Sequence, residues 1–188
     1  MRKNSKIRYM QTVLGESLLA LLRTKPIEKI TVTEICKLAE INRGTFYAYF
    51  LDPADLLSKI EADLYEKFVA ISVRPSSLKK ETIKVFFRRL FDLFYDNKEL
   101  VRVLIGDFGD RKFLAGCALI GHEVAIADWQ KKFPEVDRSY LEYVYAYVYN
   151  GCLGIVELWI KNDYRESPAE MAELVNKFFT DSLVRYFN

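Results

Sequence analysis

Apolar residues recur every three to four positions along most of this chain, and alternating β-branched runs are rare. That pattern predicts an almost wholly helical, all-α protein. Ile7, Met10, Leu14, Leu18, Leu21 and Leu22 predict an amphipathic helix over 5–24 that ends before Lys25-Pro26. In Thr31-Val32-Thr33-Glu34, Thr31 caps a helix and Glu34 reaches back to its N–H; that short helix runs to about Ala39. Asn42 caps a second short helix from Arg43 to Phe50. Asp52-Pro53 then opens a long helix to about Val73, with Pro53 where a missing N–H costs nothing. Arg74-Pro75-Ser76-Ser77 is the strongest break. Beyond it, helices are expected near 78–96, 98–106, 110–132, 137–162 and 168–186.

One stretch invites a membrane reading. Tyr143 to Ile160 is interrupted only by Asn150 and Glu157, close to the ~20 residues a bilayer needs. Two polar residues, no basic flank on its N-terminal side and a repeat of tyrosines at 140, 143, 145, 147 and 149 argue against spanning. A helix apolar all round is more simply the centre of a helical body or a subunit interface.

Composition narrows the class. The 188 residues are 51% apolar and 14% aromatic, which excludes intrinsic disorder. Three Cys without paired spacing argue against a disulfide-stapled scaffold, and a lone His leaves a zinc site short of ligands, so neither metal nor cofactor is expected. The N-terminus is basic but passes into Leu14–Leu22 without a small-residue cleavage site; a reducing, cytoplasmic setting is the expectation. The net charge of +2 is unevenly spread: residues 1–52 hold nine Lys/Arg against five Asp/Glu, and the remainder is mildly acidic. A basic head suits a polyanion partner.

The sequence from Thr31 to Phe50, TVTEICKLAEINRGTFYAYF, has helix-turn-helix spacing. Inward positions are expected at Ile35, Leu38, Ala39, Ile41, Phe46 and Phe50, leaving Arg43, Gly44, Tyr47 and Ala48 outward with Thr45 at the edge. Each outward residue suits double-stranded DNA. Gly44 lets backbone approach a groove edge, and the planar fork of Arg43 matches the O6/N7 pair of guanine. Thr45 and Tyr47 offer hydroxyls to phosphate, which fixes register without reading sequence. Thr33 presents a hydroxyl beside unpaired helix N–H groups, a natural phosphate seat.

The run T-V-x-x-I-x-x-x-A-x-I-N-R-G-T-F-Y-x-Y-F, between a 20-residue amphipathic helix and a long one, resembles the TetR/AcrR family of transcriptional regulators. The later stretch Tyr149 to Trp159 is similar to the penultimate helix of a subgroup of that family. The resemblance implies a DNA-binding head over 1–52 and a helical effector-binding and dimerisation body over 53–188. It also implies a homodimer on a palindromic operator, usually a repressor released by a small-molecule effector, with the last two long helices forming the interface. The alternative is an activator whose body docks a protein partner. Two bottom-up features agree with an interface. Ala146, Asn150 and Gly154 form a small-residue stripe, and Met171, Leu174, Val175, Phe178, Phe179, Leu183 and Tyr186 form a broad apolar face. Gly154, Leu174 and Phe178 are therefore candidate interface residues.

Two departures from the family pattern stand out. Glu40 occupies a turn position where the family usually has Gly, which suggests a turn of different shape, since positive φ costs a non-Gly residue roughly 1–2 kcal/mol. Pro53 stands where the family has a phosphate-touching Lys; Lys6, with Arg2, Lys3 and Arg8, is expected to compensate.

In the body, His122, Trp129, Tyr147 and Asn150 are candidate effector-pocket residues. For His122 a polar lining or partly exposed helical position is the stronger reading over an effector ligand or proton switch. Asn150 reads equally as a pocket anchor or an interhelical hydrogen bond. Cys36, Cys117 and Cys152 read as small buried hydrophobes rather than redox sensors. No nucleophile elbow, phosphate loop or paired-ligand metal spacing is present, so no enzyme is expected.

Overall fold

The computed structural model describes residues 2–72, 83–106 and 111–187, with side chains at 9–72, 84–106 and 113–178. Every described regular element is a helix. They are α1 (Arg2–Leu22), α2 (Val32–Leu38), α3 (Arg43–Tyr47), α4 (Pro53–Ser72), α5 (Ile83–Asp96), α6 (Lys98–Ile105), α7 (Arg111–Lys132), α8 (Arg138–Lys161) and α9 (Pro168–Phe187). A single 3-10 turn, Ile27–Lys29, between α1 and α2 is an addition that periodicity did not reveal. The break expected at 74–77 lies outside the described residues.

The chain divides into two compact units. The first takes in Met1–Leu64 and Glu99–Asp110, and so includes the first half of α4 and most of α6 besides the three N-terminal helices. Its core is Leu14, Leu18, Leu22, Ile30, Ile35, Cys36, Ala39, Phe46, Phe50, Leu56 and Val103. Met10, Leu14, Leu18 and Leu22 put one stripe of α1 into that core at the four-residue spacing of a helix face. At Gly15 a Cβ would lie 3.1 Å from the Ile60 side chain, so its absence lets α4 come close to α1. Arg23 reaches Glu99 at 3.5 Å on the same unit's surface.

The second unit holds Tyr65–Lys98 and Arg111–Asn188. Here α5 packs along α9 and α7 along α8. Trp159 is fully buried, edge-on to Phe91 at 5.3 Å and to Tyr164 at 4.9 Å, and its Nε1 donates to the Glu166 carbonyl at 2.9 Å. Between α7 and α8, Ile126, Trp129 and Leu141 form a smaller core against Tyr145 and Val148. Tyr145 donates its hydroxyl to the Ala118 carbonyl at 2.6 Å, and a Cβ on Gly121 would strike that phenol at 2.8 Å. Ser167 and Glu170 cap α9 reciprocally, as Thr31 and Glu34 cap α2. Among the described residues, no helix is long and apolar enough to cross a membrane.

Candidate nucleic-acid interface

The first unit presents α2 and α3 as two short, well-capped helices. Thr31 Oγ1 accepts from the Glu34 N–H at 3.3 Å while Glu34 accepts from the Thr31 N–H at 3.0 Å, which satisfies two orphan donors at the start of α2. Lys25 adds an ion pair at 2.5 Å. That ammonium, then the Thr31 N–H and hydroxyl, hold the Glu34 carboxyl down at about 2. At the start of α3, Asn42 Oδ1 accepts from the Thr45 N–H at 3.1 Å.

The turn between them differs from expectation in an instructive way. Glu40 adopts φ 55, so the left-handed turn is kept without the glycine rather than reshaped. The Ile41 N–H closes it on the Cys36 carbonyl at 3.0 Å, the six-to-one bond of a Schellman motif. Burial pushes the Cys36 thiol up, and Arg43 opposes that shift.

Beneath α3, Phe46 and Phe50 are buried with ring centroids 5.6 Å apart, and Ile35 and Ala39 are buried beside them. Ile41 is partly buried. Leu38, expected inward, is 53% exposed. It directly precedes Ala39, so it lies ~100° round the helix from it, outside the arc that Ile35, Ala39 and Cys36 bury. On the outer side, Thr33, Arg43, Gly44, Tyr47 and Ala48 are all exposed, and Thr45 is half-buried. The helix is shorter than its expected run to Phe50, ending at Tyr47. Gly44 has a local role as well: a Cβ there would sit 3.1 Å from the Asn42 Oδ1 that caps the helix. The side chain of Lys6, with those of Arg2, Lys3 and Arg8, lies outside the described ones.

Sequence reasoning read the cap at Asp52 but passed over the Asp55–Lys59 bracket that follows α3. Asp52 Oδ1 caps α4 by accepting from the Asp55 N–H at 2.8 Å. Asp55 Oδ2 accepts from the Leu51 N–H at 2.9 Å and from Lys59 Nζ at 2.9 Å. Lys59 Nζ also donates to the Tyr49 carbonyl at 3.0 Å and sits over the Phe50 ring, 4.9 Å from its centroid. The Leu51 N–H, followed by Lys59, holds the Asp55 carboxyl below its usual range. The Asp55–Lys59 spacing of four was the available signal.

The four pocket candidates are not brought together. Trp129 is buried between α7 and α8, and His122 pairs through Nε2 with Glu142 and lies edge-on to Tyr145 at 5.0 Å. Tyr147, however, is 69% exposed, and Asn150 is exposed and spends its amide on the Ala146 carbonyl of its own helix at 2.7 Å. Neither lines the open cleft of the body, and Asn150 does not bridge two helices. The reason is rotational: Tyr145 and Tyr149 take the α7-facing side of α8, so Tyr147, two residues from each, points away, and Asn150 lies ~100° round the helix from Tyr149. That cleft, of about 320 Å³, lies at the C-terminal half of α7, lined by Glu123, Ile126, Ala127, Gln130, Lys131 and Arg138. Burial pushes the Cys117 thiol up to about 12 and the Cys152 thiol up to about 11, values that suit inert apolar packing. Among the described residues, no group of three His, Cys, Asp or Glu side chains is placed to hold a metal ion.

The interface candidates share an outward aspect. Tyr143, Tyr147, Gly151, Gly154 and Leu158 form an exposed stripe on α8, and a Cβ added at either glycine would meet open space. On α9, Met171, Ala172 and Val175 face inward while Leu174 and Phe178 are exposed.

Comparison with known proteins agrees with this architecture. The family model TetR_C_8, described as "Transcriptional regulator C-terminal region", matches residues 81–181, more than half of the chain. The chain is 22% identical over 169 residues to the uncharacterized HTH-type transcriptional regulator YxbF of Bacillus subtilis (strain 168). That alignment covers 85% of this chain and 42% of YxbF, so the chain spans less than half the length of the curated relative it matches. Among solved structures, the fatty acid degradation regulator FadR from Bacillus halodurans aligns with TM-score 0.66 at 16% identity, over 93% of this chain and 96% of that one. The dihydroxyacetone kinase operon activator DhaS aligns with TM-score 0.61 at 16% identity, over 95% and 98%. At these identities the structural likeness is one of fold.

Proposed function

This chain belongs to the TetR family of transcriptional regulators, and on that premise we propose that it binds a palindromic operator as a homodimer, each α3 lying in a major groove. The carrying observation is the outer face of α3: Arg43, Gly44 and Tyr47 are exposed over a fully buried Phe46, on a helix whose start is capped by Asn42. Arg43 reads a base edge, Thr45 and Tyr47 engage phosphate, and Thr33 seats a phosphate at the start of α2. Lys6 and the neighbouring basic residues of the N-terminal arm bind further phosphates in place of the family lysine at Pro53. The exposed stripe of α8 and the outer residues of α9, Gly154, Leu174 and Phe178 among them, form the dimer contact. Half-sites then lie about 34–36 Å apart or a multiple of that.

Selection of bound duplexes from a random pool, followed by mobility shifts across a salt series, tests this reading. Arg43→Ala is expected to cost about 1–3 kcal/mol and to relax discrimination at one base position. Equal weakening on selected and random duplexes would remove Arg43 from base reading. Removal of residues 1–8 is expected to flatten the log–log salt slope by roughly 0.9 for each phosphate that the arm neutralises.

In this reading the protein represses and a small molecule releases it. The feature of the described body that supports a small-molecule seat is the partly open cleft, lined by Glu123, Ile126, Ala127, Gln130, Lys131 and Arg138. A second reading, activation through a docked protein, is favoured by the exposed Leu119 and Val124 on α7 and by the likeness in fold to DhaS, an operon activator by name. Transcript levels in a deletion strain separate the two. A rise of the target transcripts marks repression, and a fall marks activation.

A further inference from the structure

The link from α3 to α4 in this chain is built differently from a phosphate-anchored one. Where a lysine opening α4 would touch the duplex, Pro53 has no donor and Asp52 is committed to capping the helix. The lysine of this region is instead Lys59, on the second turn of α4, and its ammonium points at protein. It donates to the Tyr49 carbonyl just past α3 and to Asp55, and it covers the face of Phe50. Asp55 in turn accepts the Leu51 N–H. Tyr49 and Leu51 flank a core phenylalanine, so two side chains from α4 grip the backbone on both sides of the residue that anchors the recognition helix. The helix itself has only five residues, Arg43–Tyr47, too short to hold its own direction without tertiary support.

We infer that Lys59 and Asp55 are positioning residues for DNA recognition, a bracket that fixes the angle of α3 against α4 and so stands in for a charged anchor on the duplex. The inference rests on the operator-binding reading above. It carries an electrostatic sign that distinguishes it from simpler roles. Were Lys59 a direct phosphate ligand, its removal would flatten the salt dependence by roughly 0.9 per protomer. Were Asp55 merely a surface carboxylate near the duplex, its neutralisation would tighten binding by removing repulsion. A bracket gives neither result.

The test uses the full chain and the duplex recovered by selection, with Lys59→Met, Lys59→Arg and Asp55→Asn variants. Lys59→Met keeps the apolar stem over Phe50 and removes the ammonium. It is expected to weaken operator binding about tenfold with an unchanged salt slope, and to blunt discrimination at the base read by Arg43. Lys59→Arg is expected to restore most of the affinity. Asp55→Asn is expected to weaken binding despite the gain in net positive charge. Circular dichroism melting of each variant establishes that the head is folded at the assay temperature. Unaltered affinity in both Lys59→Met and Asp55→Asn would overturn the bracket, as would tighter binding by Asp55→Asn or a slope reduced in Lys59→Met. Absence of duplex binding by the wild-type chain would instead remove the operator reading itself.

Discussion

The Ile41 N–H and the Cys36 carbonyl, 3.0 Å apart, close the turn between α2 and α3 around a glutamate held at φ 55. Glu40 is exposed, so nothing but backbone conformation is at stake there. The left-handed geometry costs a residue with a Cβ roughly 1–2 kcal/mol, and glycine would give part of that back as unfolded-state entropy. Glu40→Gly is therefore expected to stabilise the protein by up to about 1 kcal/mol. A urea midpoint that stays put or falls would show that the turn carries no strain.

The pairing of Lys25 with Glu34 sets a pH dependence. The folded carboxyl lies at about 2 against an ordinary 4.5, so the unfolded state binds the proton more readily. A depressed folded value contributes stability that is fully present above about pH 4.5 and disappears as pH falls towards 2. Thermal melting of wild type and Glu34→Gln should therefore differ most near neutrality and converge at low pH. A gap that widens on acidification would reverse the sign argued from this pair.

Trp159 is a buried ring with one polar obligation, the bond from Nε1 to the Glu166 carbonyl. Trp159→Phe keeps most of the aromatic packing and abandons that acceptor. The expected loss is about 1–3 kcal/mol, read from denaturant unfolding followed by far-UV circular dichroism. A neutral result would mean that water takes over the carbonyl.

Phe178 tests the proposed dimer face without threatening the monomer. It is 53% exposed in the single chain, whereas its neighbour Val175 is buried. Phe178→Glu is expected to shift sedimentation from dimer to monomer while leaving the helical signal intact, because a buried unpaired carboxylate is costly in an apolar interface. Retained dimers in Phe178→Glu would move the interface away from the outer side of α9.

Much of the fold was legible because helix starts are written locally. Thr31 with Glu34, Asn42 with Thr45 and Asp52 with Asp55 each act across three residues, and each does in the structure what its spacing implies. The Ser167–Glu170 pair carried the same signal and went unread. The outward side of α3 was legible too, since Phe46 and Phe50 sit four apart and leave the opposite arc to Arg43, Gly44 and Tyr47. Lys59 was harder. Its partner Asp55 lies one turn away, but the Tyr49 carbonyl enters its reach only after the chain has turned from α3 into α4.

By itself, then, the sequence determined where helices begin, which family the N-terminal motif resembles, and which face of each strongly amphipathic helix is apolar. Tertiary structure alone decided the orientation of α8. A helix apolar on all sides has no inward face of its own, so α7 chose one by offering the Ala118 and Leu114 carbonyls and the clearance at Gly121 to Tyr145 and Tyr149. That choice turned Tyr147 and Asn150 outward. Hydrophobic period specifies a helix through contacts three and four residues apart, whereas its rotation depends on partners far away in the chain, whose positions no local pattern encodes.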